Sequence, residues 1–273
     1  MSLFDQALVA GVLIGLLSGL VGTLVVLRRR AFFTVALTHA TFPGGVVAAI
    51  LGVNIVIGAA AMGLLLVALM LALGRIRRQG RQVAAGIVLS FGYALGMFLH
   101  TLNPQLPTKV ESFLTGSILG LSTTNLLLIV IALVVTSAVL LLLWKELLFS
   151  SFDRPGFVAA GYREGRAEVI SLLLITAAVV VTMPAIGSIL AIAMLAAPAA
   201  AARALTRNVA WMLPLACLLG ALAAVVGLYA SLRFDLAAGG AIALAAAGIF
   251  VLARVAGAAR EALARRAAAR VGA

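Results

Sequence analysis

The stretch QALVAGVLIGLLSGLVGTLVVLRRR, residues 6–30, decides the fold class of this chain. From Gln6 to Leu27 it carries no Asp, Glu, Lys or Arg. A helix crosses the hydrocarbon core of a bilayer with about 20 apolar residues, and this run is long enough. Three arginines follow at once, as expected where a helix leaves the membrane on the cytoplasmic side. The run therefore predicts a transmembrane helix.

The remaining sequence has the same character. Hydrophobic residues make up 64% of the 273 and charged residues only 10%, against roughly 45–50% and 25% in soluble domains. The spacing of apolar runs predicts spans at 6–27, 31–51, 55–73, 83–102, 125–144, 169–183, 186–205, 209–232 and 236–253. The segment 112–121 is too short to span and is interpreted as re-entrant or as an oblique interfacial helix. We expect an all-α polytopic membrane protein with about eight or nine transmembrane helices, forming one domain over residues 1–273.

The positive charge indicates how the chain is oriented. The formal net charge is +12, and the basic residues fall in short clusters between the apolar runs. With nine spans, all of these clusters lie on one side, which the positive-inside rule makes cytoplasmic; the N-terminus is then outside and the C-terminus inside. The clusters are 28–30, 75–81, 145–166, 203–207 and the basic tail at about 254–273. Nucleic-acid binding is not expected, since no basic face is combined with aromatic residues for base stacking.

The second predicted span contains a candidate site. His39 lies near its middle, with Thr38 and Thr41 beside it and the pair Pro43–Gly44 directly after. Ionisable residues inside a span are uncommon and usually face a protein interior or a pathway, and neutral imidazole is a good ligand for Zn, Mn or Fe. Irregular backbone at membrane depth occurs where it is buried in protein or lines a cavity. A buried packing histidine is the alternative to a metal ligand here.

Two further breaks and one polar interval stand out. Gly187, close behind Pro184, separates two spans, and Pro198 lies inside the next one, where we interpret it as a packing kink. The interval 152–162 is amphipathic and predicts a short cytoplasmic helix, which is either an ordinary loop or a docking segment for a soluble partner. Its marked positions are Phe152, Asp153, Ala159, Gly161 and Tyr162.

Four segments in this order resemble the permease subunit of manganese, zinc and iron ABC importers. They are RRRAFFTVALTHATFPG at 28–44, SFLTGSIL at 112–119, FDRPGFVAAGY at 152–162, and IGSIL at 186–190 continuing to APAAAAR at 197–203. Together they extend over most of the chain. In the family, the histidine that matches His39 is paired with an aspartate four residues earlier, a spacing that puts both on one helix face. Here that position is Val35.

The resemblance implies the membrane subunit of an ATP-driven importer in a bacterial cytoplasmic membrane. It implies a homodimer, two ABC ATPase subunits that dock on the coupling helix at 152–162, and an extracytoplasmic solute-binding protein. The implied cargo is a divalent metal ion or a metal-containing solute, with His39 as the metal contact and Pro43, Gly44, Gly187 and Pro198 along the pathway. No cofactor of the chain itself is implied, and ATP belongs to the partner.

Two other functions are open to a chain of this composition. A proton-coupled secondary transporter would need carboxylates within the membrane, and Asp5, Glu111 and Asp235 all fall near the ends of predicted spans. A membrane scaffold without transport function would leave the broken helix around His39 and Pro43 unexplained. The sequence contains no phosphate-binding loop of the form GxxxxGK[ST] and no hydrolase-type set of catalytic residues, so we do not expect an enzyme.

Overall fold

The computed structural model describes residues 3–73, 81–105 and 116–271. All regular elements in these ranges are helical, as the composition predicts. They are α1 (Leu3–Leu27), α2 (Ala31–Ala40), α3 (Phe42–Ile50), α4 (Ile55–Leu73), α5 (Arg81–Leu102), a 3₁₀ turn (Ile118–Gly120), α6 (Thr123–Phe152), α7 (Arg154–Ala159), α8 (Glu164–Ile186), α9 (Ser188–Leu205), α10 (Val209–Phe234) and α11 (Ala238–Val271).

The number of membrane spans matches the sequence prediction. In the described ranges, eight helical stretches are long and apolar enough to cross a bilayer, with α2 and α3 together forming one of them and the shorter α9 lying outside this set. The outer helices keep large apolar side chains at the surface; Leu141 and Leu142 of α6 are 84% and 81% exposed. Such a surface is stable against lipid or a partner subunit, and not against water. The chain is a multi-pass membrane protein.

Helix α1 forms the centre of the bundle and packs against α10, α9 and α6. Its glycines make this possible: a Cβ added at Gly15 would lie 2.4 Å from the carbonyl oxygen of Gly220, and one at Gly22 would lie 1.9 Å from that of Leu195. Close backbone approach through small residues is the usual packing mode of helices in lipid. The core of the fold is therefore built around α1.

Several predicted boundaries differ from the structure. Helix α8 begins at Glu164, not near 169, because a glutamate in the first turn is favourable at the positive end of a helix. It also runs through Pro184 and ends only at Gly187, whose φ of 82° leaves the helical region. Helix α6 extends past Lys145 and Glu146 to Phe152. Pro198 lies inside α9 and does not end it.

The loop regions were predicted only in part. The segment expected at 112–121 is described from residue 116, where it forms the 3₁₀ turn, and residues 112–115 lie outside the described ranges together with Arg75, Arg77 and Arg78. Ile118 is buried, and the backbone N–H of Ser117 donates to the carbonyl of Pro184 at 3.1 Å. The basic tail expected from 254 continues α11 as helix to Val271.

The basic clusters within the described ranges meet at one end of the bundle. A cavity of ≈ 640 Å³ is lined there by Arg28, Arg29, Arg30, Arg154 and Arg203. On the tail, Arg260 donates to the carbonyl of Leu205 at 3.4 Å and so belongs to the same end. We call this the basic end of the protein.

Candidate functional site

His39 lies on the half-buried side of α2. Val35, one turn earlier, shares that side, while Thr38 and Thr41 are fully buried on the other. The Thr38 hydroxyl donates to the carbonyl of Val35 at 2.8 Å and the Thr41 hydroxyl to that of Leu37 at 2.9 Å. Thr41 also contacts the sulfur of Met183 at 3.6 Å. The structure thus groups His39 with Val35, and turns the two hydroxyls towards the helix backbone.

The imidazole of His39 has an unused polar atom. Its Nδ1 is buried and has no hydrogen-bond partner within the described residues. A buried polar atom without a partner is unfavourable. The described residues contain no group of three or more His, Cys, Asp or Glu side chains able to hold a metal ion. The described part of one chain therefore holds no closed metal site around His39.

Tyr93 of α5 is the neighbour of His39 that the sequence analysis missed. The two rings pack edge to face, with centroids 5.7 Å apart. Their contact depends on two glycines of α5: a Cβ at Gly92 would lie 2.7 Å from Cα of Ala40, and one at Gly96 would lie 2.4 Å from the ring of Phe42. The spacing GxxxG at 92–96 is a known signature of close helix packing in membranes, so the sequence did carry a signal for this contact.

The break beside His39 has a simple cause. Pro43 has no backbone N–H, so it cannot donate to the carbonyl of His39 four residues earlier, as a helical residue would. Helix α2 accordingly ends at Ala40, and α3 starts at Phe42 with Pro43 in its first turn. In α3, after the break, a Cβ at Gly44 would lie 2.3 Å from the carbonyl oxygen of Gly58 in α4. The predicted pair Pro43–Gly44 thus shapes the half-helix that follows His39 and lets it pack on α4.

The second predicted break lies between α8 and α9. Gly187 adopts φ 82° there, and Gly116 of the preceding segment, at φ 77°, touches it: a Cβ at Gly116 would lie 2.3 Å from the Gly187 nitrogen. Pro198 is further along α9. The structure brings Gly187 together with the 116–118 segment and not with His39.

At the basic end, the interval 152–162 forms the short helix α7. Asp153 caps it, accepting a hydrogen bond from the backbone N–H of Gly156 at 2.9 Å. The chain leaves the helix after Ala159 and turns at Gly161, whose φ is 85°. A side-chain acceptor at the start and a glycine at the end are standard helix boundaries, and both residues were marked from the sequence.

An aromatic cluster holds α7 against the bundle. Phe157 is fully buried, stacks on Tyr162 at 4.8 Å and meets Phe149 of α6 edge to face at 5.5 Å. Phe152 and Val158 remain exposed, at 60% and 53%. Helix α7 is thus anchored by one aromatic face, while its Val158, and Phe152 at the end of α6, remain exposed.

A buried ion cluster lies next to α7 and was not found from the sequence. Glu168 of α8 pairs with Arg30 and, at 3.6 Å, with Arg28. Burial lowers the pKa of the Arg28 guanidinium from its ordinary value, and the Glu168 carboxylate opposes that shift. Glu168 is 138 positions from Arg30 in the chain, so no local pattern could reveal its contact with the two arginines.

Comparison with known proteins agrees with this architecture. Residues 1–257 match the model of the ABC 3 transport family. The chain is 34% identical to the manganese transport system membrane protein MntC of Listeria monocytogenes, over 92% of this chain and 90% of that protein. It is 37% identical to the zinc transport system membrane protein TroC of Treponema pallidum, over 89% and 86%.

A solved structure shows the same fold. PsaBC from Streptococcus pneumoniae, determined in complex with Fab, contains a chain that superposes with a TM-score of 0.84 at 30% identity. The match covers 93% of this chain and 91% of that one. The resemblance seen in the four sequence segments is confirmed over nearly the whole length, and the chain belongs to the ABC 3 transport family of membrane permeases.

Proposed function

We propose that this chain is the membrane-spanning subunit of an ATP-driven importer for a divalent metal ion, manganese, zinc or iron, or for a metal-containing solute. The observation that carries the proposal is the half-buried His39, with its unpartnered Nδ1, on a broken helix of a chain related to manganese and zinc transport proteins. The imidazole contacts the passing metal, and the break at Pro43 leaves room for a pathway beside it.

The proposed working unit is a homodimer with the pathway between the two copies. One chain supplies a single imidazole at this position, and the described residues contain no group of three or more His, Cys, Asp or Glu side chains that could hold a metal ion. A twofold axis beside α2 would bring in the second His39, giving two nitrogen ligands. Because Val35 replaces the aspartate of related permeases, the contact lacks the carboxylate oxygen that hard cations prefer. The site then holds its cargo weakly, which suits release.

The proposed orientation follows from charge. The basic end faces the cytoplasm, with the N-terminus outside and the C-terminus inside; this orientation takes the shorter helix α9 as a ninth crossing. Two ATPase subunits bind there through the interval 152–162 around α7, in which Phe152, Val158 and Tyr162 are exposed, and they supply the ATP hydrolysis. A solute-binding protein delivers the cargo at the opposite end. The whole chain acts as one transmembrane domain in a bacterial cytoplasmic membrane.

Transport by the reconstituted complex tests the proposal. The permease is purified with its ATPase subunits, placed in proteoliposomes and supplied with radioactive manganese, zinc or iron together with the binding protein. We expect ATP-dependent uptake that His39→Ala abolishes without lowering expression or assembly, because no other described side chain replaces the ligand. His100→Ala, which alters the chain's other histidine at the end of α5, is the matched control and should transport normally.

Two results would contradict the proposal at different levels. Absence of ATP-dependent uptake of any of the three metals by the unmodified complex would overturn metal import itself. Normal uptake by His39→Ala would make His39 a packing residue and remove the proposed metal contact, while leaving an importer with a different pathway.

A further inference from the structure

Three charged side chains are buried where α1, α2 and α8 meet at the basic end. Arg28 follows the last residue of α1, Arg30 precedes the first residue of α2, and Glu168 lies near the start of α8. Their side chains are only 8%, 13% and 16% exposed. Glu168 contacts both guanidinium groups. One carboxylate therefore joins the two helices that flank the corner between α1 and α2.

The same cluster reaches α6. Arg28 donates to the carbonyl of Leu147 at 3.2 Å and to the hydroxyl of Ser150, both in the last turns of that helix. Helix α7 is the short element between the end of α6 and the start of α8. The two segments that flank α7, the end of α6 and the start of α8, are thus both bonded to the corner between α1 and α2. In addition, Phe157 of α7 is buried in a cluster with Leu24 of α1.

The corner leads directly to the candidate metal contact. Helix α2 begins at Ala31, next to Arg30, and His39 follows within the same unbroken helix, on the order of 13 Å along its axis at 1.5 Å per residue. A helix of this length behaves as a rigid rod. Displacement of α7 by a bound partner would therefore be passed through Glu168 and Arg30 to the start of α2, and along α2 to His39.

Burial makes the link stiff. A carboxylate removed from two buried guanidinium groups leaves positive charge without a partner in a medium of low dielectric, which is strongly unfavourable. Separating the three side chains is therefore costly, and we expect them to stay together when α7 is displaced. The pair of Arg154 with Glu164, 46% and 41% exposed, lies close by and is of the weak surface kind.

We propose that Glu168 is a positioning residue that couples α7 to α2, so that events at the ATPase move the segment carrying His39. This rests on the proposed function, because it takes α7 as the docking helix for the ATPase. The link acts through the position of α2, and Glu168 itself touches neither cargo nor nucleotide.

The test reads the movement of α2 without relying on any metal. Val35→Cys is introduced in a Cys217→Ala background, and the rate of its labelling by a water-soluble maleimide is measured in the ATPase complex, with and without ATP and vanadate. We expect a several-fold change in rate on nucleotide trapping. Glu168→Gln should reduce that change to less than about twofold, while complex assembly and basal ATP hydrolysis persist. Glu164→Gln is the matched control and should retain the full change.

A second variant separates coupling from folding. Glu168→Gln combined with Arg30→Gln removes one of the two buried positive charges that the single variant leaves without a carboxylate. It should therefore recover expression and assembly at least in part if the single variant lowers them, and still lack the labelling change. A full labelling change in either variant would overturn the link and leave the proposed function standing. No nucleotide-dependent change in the Val35→Cys background itself would overturn both the ATP-driven mechanism and the link.

Discussion

The packing of α1 on α10 makes a quantitative prediction for Gly220→Ala. A Cβ at Gly220 would lie 2.3 Å from the carbonyl oxygen of Gly15, while ordinary van der Waals contact begins at 3.4 Å. The obstacle is backbone of a neighbouring helix, so no side chain can rotate away. The two helices would have to separate by about 1 Å at this point, the difference between these distances.

The size of the effect follows from two opposing terms. Overpacking of a filled interior costs about 1–3 kcal/mol, and contact with backbone belongs at the upper end. Replacing glycine by alanine within a helix stabilises the folded state by about 0.5–1 kcal/mol. A net loss of about 2 kcal/mol remains, equivalent to a fall of roughly 4–8 °C in the midpoint of thermal unfolding for a chain of this size.

Gly248→Ala in α11 is the matched control, because a Cβ at that glycine meets nothing within 4 Å. It should leave the midpoint unchanged or raise it slightly. The assay is the loss of monodisperse protein on heating, followed by fluorescence-detected size exclusion in one detergent for both variants. Equal midpoints for the two variants would show that α1 and α10 do not approach as closely as described.

Three other changes test the orientation, the docking helix and the metal contact. Reporter domains fused after Arg163 and at the C-terminus should report a cytoplasmic location, and a reporter at Asn54 should report an outside location, because the basic clusters share one end. An outside signal at Arg163 would contradict the proposed orientation. Asp153→Lys removes the cap of α7, at a cost of about 1 kcal/mol, and reverses the charge at that position, while Gly161→Trp forces a bulky residue into φ 85°. Both variants should lower the stimulation of ATP hydrolysis by the binding protein, and gel filtration checks that the dimer remains intact. Unchanged stimulation would count against docking. Val35→Asp places a carboxylate one turn before His39 and should tighten manganese binding and slow its release, measured with radiometal; unaltered affinity would argue that the cargo does not pass this side of α2.

Local chemistry was sufficient for much of the fold. Apolar length gave the spans, Pro43 the break after His39, and Asp153 and Gly161 the two ends of α7, because each of these depends on residues close together in the chain. The predicted helix boundaries were wrong where a polar residue extends a helix beyond its apolar part, as Glu164 does at the start of α8.

Contacts between distant segments were beyond local reasoning. Tyr93 beside His39 and Glu168 between two arginines depend on how whole helices pack, and the chain separates Glu168 from Arg30 by 138 positions. Thr38 and Thr41 were predicted near the site because they are close to His39 in the sequence, but helical geometry turns both hydroxyls to the buried face. A side chain's neighbours along the chain are thus a poor guide to its neighbours across a helix interface.

The contact between Gly116 and Gly187 limits how this protein can evolve. Both residues have positive φ, and a Cβ at Gly116 would lie 2.3 Å from the backbone nitrogen of Gly187. A substitution at either position therefore meets strain in its own backbone, and one at Gly116 also clashes with the backbone at Gly187, which no change of side chain at Gly187 relieves. Among descendants of this sequence, the two positions should remain glycine together, while the neighbouring exposed Leu119 is free to drift.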